Sequence, residues 1–122
     1  MCLLAKPGRL RETQGSNVSK SKAMASITSI ALSGMNAAQT QLNASAHNIA
    51  NMNTDGFKRQ QVTQTAQAQG GVSASVETAE VAGSALLTDV VTQLQAKHAF
   101  IANLAVFKTH DKIAGALLDQ SA

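Results

Sequence analysis

The chain has 122 residues, 44% of them hydrophobic, yet it contains no Trp, no Tyr and three Phe, and much of the apolar count is Ala. Alanine removes little surface from water, which excludes a thick independent core and favours thin helices that bury their stripes against partners. Residues 1–23 hold five bases (Lys6, Arg9, Arg11, Lys20, Lys22) against Glu12, whereas residues 24–122 hold five bases against six acids, so the body offers no basic face to a nucleic acid despite the pI near 9.4.

Residues 1–23 combine that charge with the single Pro7 and a polar run from Thr13 to Ser21, and read as a disordered basic leader. Met24 opens a different kind of sequence. The leader is therefore either a start assigned too early or a functional basic tail. Met1 to Leu4 is broken by Lys6, Pro7 and Gly8, so it does not make the apolar region of a cleaved signal peptide. No run approaches the roughly 18 apolar residues of a membrane span, and direct membrane insertion is not expected. The lone Cys2 can form neither an intrachain disulfide nor a thiol-rich metal site.

A first helix is predicted over 26–52, with Ser26 as N-cap candidate. Ala31, Ala38, Ser45 and Met52 form one heptad line and Met35, Leu42 and Ile49 the other. The opposite face carries Asn36, Gln39, Thr40, Asn43 and His47, amphipathic but weakly charged. Asn51, Asn53, Thr54, Asp55 and Gly56 then supply residues that tolerate turns. Asn side chains compete for backbone hydrogen bonds, so a run of them at a helix end needs a reason. Either it terminates the helix, or its amides bond a neighbouring element in an assembled state.

Residues 53–83 read as a short connector, irregular or β-containing. Lys58 and Arg59 are expected in solvent, Gln60 to Gln69 is rich in Gln, Thr and Ala, and Gly70-Gly71 interrupts it. Val72, Ala74 and Val76 alternate with polar residues, as one short strand would. A second helix is predicted over 84–118, its stripe running through Leu87, Val90, Val91, Leu94, Ile101, Leu104 and Ala105 before drifting to Ile113, Leu117 and Leu118. The expected fold class is all-α: two long antiparallel helices forming a helical hairpin or coiled coil around that connector. Each stripe is wider than one partner covers, so neighbouring subunits are expected to cover the rest.

The residues suggest no chemistry. His47, His98 and His110 lie far apart without metal-ligand spacing, and Gly70-Gly71 lacks the lysine and helix start of a phosphate loop. The carboxylates are scattered singly and read as solvent-facing. The reading is of a non-enzyme with no cofactor, no metal and no small-molecule substrate.

The stretch Ala31-Leu32-Ser33-Gly34-Met35-Asn36-Ala37-Ala38-Gln39, followed by Asn48-Ile49-Ala50-Asn51-Met52-Asn53-Thr54-Asp55-Gly56-Phe57-Lys58-Arg59, resembles the N-terminal signature of the bacterial flagellar rod and hook (axial) proteins. Val91, Ala96, Ala99-Phe100, Ala102-Asn103, Val106, Thr109, Asp111 and Leu117-Leu118 are similar to that family's second helix. The resemblance spans Met24 to about Asp119 except the connector, and makes 24–122 a rod-type helical terminal domain.

It implies a structural subunit of the flagellar basal-body rod, in the periplasm, that associates with itself and with other rod and hook proteins. It further implies export through the flagellar type III apparatus without a cleaved signal peptide. Met24 falls where such proteins usually begin. The candidate interaction residues are Met35, Leu42, Ile49, Leu94, Ile101 and Leu104 in the seam and Asn48, Asn51 and Asn53 at the helix end, joined by Phe57, Phe100 and Asn103 from the matching motifs. Three departures stand out: the connector is short, His47 sits where the family prefers an amide, and Gln93 interrupts an apolar position. They motivate the alternative of a rod-derived helical adaptor or regulator of flagellar assembly or export.

Overall fold

A computed structural model describes the backbone of residues 9–121 and the side chains of residues 26–121. Helix α1 spans Arg9–Ala50, strands β1 and β2 span Gln60–Ala66 and Val72–Thr78, and helix α2 spans Leu86–Gln120. The helices are antiparallel. Asn48 of α1 meets Asp89 of α2, Gly34 lies against Asn103, and Thr28 meets His110.

Helix α1 starts well before Ser26, so the expected disordered leader is helical from Arg9, while residues 1–8 lie outside the described residues. Extending an existing helix adds one hydrogen bond per residue fixed and avoids the nucleation step, and Leu10, Arg11, Glu12, Gln14 and Lys20 have good helix propensity. Ser26 is consequently interior and caps nothing; its carbonyl accepts a bond from the Ser29 hydroxyl at 2.9 Å. The helix stops at Ala50, where the amide of Met52 turns back to the Ile49 carbonyl. Gly56 completes the turn at φ +70, a conformation that L side chains rarely adopt.

The connector holds more structure than predicted. β1 and β2 form an antiparallel hairpin that pairs Gln60 with Thr78, Val62 with Val76 and Ala66 with Val72. Beyond the strands, Ala79 N–H donates to Arg59 O and Gly83 N–H to Phe57 O. The fold is mostly helical with a two-stranded sheet. β1 escaped the sequence reading because Gln, Thr and Ala give little apolar contrast; α1 supplies the support it needs. An isolated two-stranded hairpin is marginal in water, and contact with a helix removes that limit.

The hairpin tip shows how it is held. Gly70 and Gly71 both have φ of 93°. A Cβ on Gly71 would lie 2.6 Å from the Ser33 hydroxyl. That hydroxyl donates to Ile30 O at 2.7 Å and accepts the Val72 N–H at 3.1 Å. Gly71→Ala combines a backbone penalty with displacement of this bridge, and is expected to destabilise the fold by about 2 kcal/mol in urea titration.

Between the helices the packing is close and made from small residues. Among the described residues Ala31, Ala37, Ala38, Ala44 and Ala96 are the buried apolar side chains, and Ser45, Asn48 and Asp89 are buried with them. The heptad line Ala31, Ala38, Ser45 is therefore internal, as its spacing predicted, but Met52 falls beyond the helix and is exposed. Met35, Leu42 and Ile49 are half-buried. On α2 the inward line is Asp89, Ala96, Asn103 and His110, spaced by seven. Leu94 and Ile101, expected in the seam, are 54% and 51% exposed, because at 3.6 residues per turn they lie roughly on the opposite side of the helix from that line. The helix itself begins at Leu86 and ends at Gln120, about two residues later at each end than predicted.

Candidate functional site

The most constrained polar cluster sits where the end of α1, the start of β1 and the first turn of α2 converge. Its residues are Asn48, Arg59, Gln60 and Asp89. Asn48 is 3% exposed. Its Oδ1 accepts the Gln60 N–H at 2.7 Å, and its Nδ2 donates to Gln60 O at 2.9 Å and to Asp89 Oδ1 at 3.2 Å. The amide thus pairs with both backbone groups of Gln60, as a neighbouring strand would, and starts β1 at a defined register.

Asp89 completes the cluster. Arg59 Nε donates to Asp89 Oδ2 at 3.2 Å, and Arg59 Nη2 donates to Asp89 Oδ1. This is a two-point guanidinium–carboxylate contact, the geometry in which such a pair is strongest. The carboxylate also lies in the first turn of α2, where the helix dipole favours negative charge. One side chain from each of three segments is held by the others, and the turn 51–59 closes between them.

Sequence reasoning misplaced two of these residues. Arg59 and Asp89 were expected in solvent, but Asp89 is 4% exposed and Arg59 is half-buried as its partner. A signal existed: Asp89 interrupts the run Leu86, Leu87, Val90, Val91 and shares a seven-residue spacing with Ala96 and Asn103. Of the asparagines, Asn48 does bond a neighbouring element, within its own chain. Asn51 bonds its own helix, donating to His47 O at 2.9 Å. Asn53 is exposed in the turn.

Phe57 is half-buried against His47, ring centroids 5.5 Å apart and tilted by 58°. Phe100 and Leu104 are half-buried on α2. Asn103 donates to Ala99 O at 2.8 Å and presses its amide on Gly34, where a Cβ would come within 2.6 Å. Asn48 is thus buried and Asn103 half-buried between the helices, whereas Leu94 and Ile101 lie outside that contact.

The open pocket at the cluster is lined by Gln41, Ser45, Thr88, Thr92 and the four residues above. Asn48, Arg59, Gln60 and Asp89 are engaged with one another across it, an arrangement that fixes geometry. Among the described residues no group of three His, Cys, Asp or Glu side chains is placed to hold a metal ion. Nor is any helix among them long and apolar enough to cross a membrane.

Residues 29–58 match the family model of the flagella basal body rod proteins. Over those residues the chain is similar to the rod-protein family. The matched segment runs from the middle of α1 through the turn to Lys58, so it contains Asn48 and ends one residue before Arg59. The family that this segment resembles consists of structural components of the flagellar basal body. A comparison with curated proteins finds no match to the chain. The rod segment thus coincides with the helix end that the polar cluster clamps, and the hairpin and α2 lie outside the matched region.

Proposed function

We propose that the protein is a structural subunit of the periplasmic part of the flagellar rod, associating with itself and with other rod and hook proteins. The supporting observation is the combination of the rod segment at 29–58 with helices that leave their large apolar side chains outward. Leu87 is 80% exposed, and Leu94 and Ile101 continue the same line along α2. A stripe of this kind is unfavourable in water and is removed when another helix packs on it. Met35, Leu42, Ile49, Phe100 and Leu104 flank the intrachain seam and would extend such contacts, while Asn51, Asn53 and Phe57 shape the turn presented to a neighbour. In this reading the role is mechanical, many small interfaces in helical symmetry bearing load.

Delivery through the flagellar type III export apparatus, without a cleaved signal peptide, belongs to the same proposal. The fold suits it in one respect: its core is thin, and little buried surface opposes unfolding for passage through a narrow channel.

Deleting the gene is expected to reduce swimming, and the tagged protein is expected to co-purify with isolated basal bodies. Normal motility together with absence from basal bodies would refute the proposal. The shortness of the region between the helices favours a second reading, a rod-derived adaptor or regulator of assembly or export. Light scattering after size exclusion separates the two, since an adaptor forms one small oligomer at all concentrations and a rod subunit grows with concentration.

A further inference from the structure

Helix α1 has an unusual outer face. No Lys, Arg, Asp or Glu occurs between Lys22 and Asp55, although a long exposed helix normally carries charge on its solvent side. Opposite the sides that meet α2 and the hairpin, Leu32, Asn36, Gln39, Asn43, Ala46 and Ala50 are all exposed. They recur at alternating spacings of four and three, the repeat of a helix-pairing seam. This seam is separate from the inward line of Ala31, Ala38 and Ser45. The amides of Asn36, Gln39 and Asn43 make no hydrogen bond to any described residue.

We infer that this face is a homotypic docking surface, on which α1 of a second copy of the chain packs. The inference rests on the self-association proposed above and names the surface that performs it. The occupant follows from the chemistry. A carboxamide carries both donor and acceptor, so a row of amides is complementary to a copy of itself, whereas a row of like charges is not. Ala46 and Ala50, which continue the row beyond the amides, are small enough to let two backbones approach. A basic or acidic partner would find no opposite charge anywhere on this face. The outer face of α2 differs: it carries Lys97, Lys108 and Lys112 with Asp111 among them, a net positive face on which a like-to-like contact gains less than on an uncharged one.

Cysteine cross-linking tests the assignment in the full chain with Cys2→Ser. Gln39→Cys, near the centre of the seam, is expected to give covalent dimer within minutes of mild oxidation, at least ten times faster than Lys97→Cys on α2. A second pair, Asn36→Asp with Asn43→Asp, is expected to weaken assembly at least tenfold, with unchanged far-UV circular dichroism and partial recovery in high salt. Assembly with equal cross-linking at Gln39→Cys and Lys97→Cys, or assembly indifferent to the two Asp substitutions, overturns the surface while leaving self-association intact. A chain that never assembles overturns the self-association itself.

Discussion

Arg59→Ala is expected to destabilise the fold by about 3–5 kcal/mol, the range for removing one partner of a buried ion pair. Against a typical stability of roughly 5–15 kcal/mol, that is enough to unfold much of the population. The asymmetry of burial makes the arginine the more damaging deletion. Without Arg59 the Asp89 carboxylate, whose side chain is 6% exposed, keeps only the Asn48 amide as partner. Without Asp89 the guanidinium, at 20% exposure, can swing into water. Asp89→Ala is therefore expected to be milder, about 2–3 kcal/mol, mostly from the freed Asn48 donor and the lost helix-start charge.

The double substitution Arg59→Met with Asp89→Leu should lie closer to the parent than Arg59→Ala, because neither desolvated charge remains. Urea titration of the four proteins checks this. A loss below about 1 kcal/mol for Arg59→Ala would show that the pair behaves as a screened surface bridge.

Gly34→Val should rank next, at about 2–3 kcal/mol destabilising. The first added carbon would already meet Asn103 Oδ1, Nδ2 and Cγ at 2.6 to 2.8 Å, and a β-branched side chain adds bulk at that carbon while having few rotamers to relieve it. Gly34→Ala is a finer probe. Alanine gains about 1 kcal/mol of helix propensity over glycine, and the atoms it meets are the far end of a side chain that can move. Moving the Asn103 amide disturbs its bond to Ala99 O, so the two terms nearly cancel. Gly34→Ala combined with Asn103→Ala removes the collision and keeps the propensity, and is expected to be more stable than Asn103→Ala alone. Thermal melts of the three variants decide it; a marked destabilisation that persists in the double variant would mean that the helices, and not one amide, set the limit.

Much of the helical layer was readable from spacing. The line Ala31, Ala38, Ser45 recurs every seven residues, and burial follows it. The rod signature was readable too, because it occupies one uninterrupted stretch. Other features were not local. β1 has Val62 and Ala66 as its apolar residues, and a strand so weakly patterned forms only because Asn48 takes both backbone groups of Gln60 and the hairpin tip rests on Ile30 and Ser33. Leu94 and Ile101 show the opposite error. Large apolar side chains at helical spacing were assigned to the seam, yet the close approach of Gly34 to Asn103 and the alanines on both helices fill that seam with small groups.

By itself the sequence determined that two long, thin, weakly charged helices flank a short middle region, and that α1 ends in an amide-rich rod segment. Period and composition suffice for that, since both act through neighbours along the chain. Only the tertiary structure decided which face of each helix turns inward and that Arg59 and Asp89 are partners. Contacts between residues 30 to 82 positions apart depend on how the helices approach, and that approach is set by glycine, alanine and a single asparagine, residues whose effect is visible only when the opposing surface is in place.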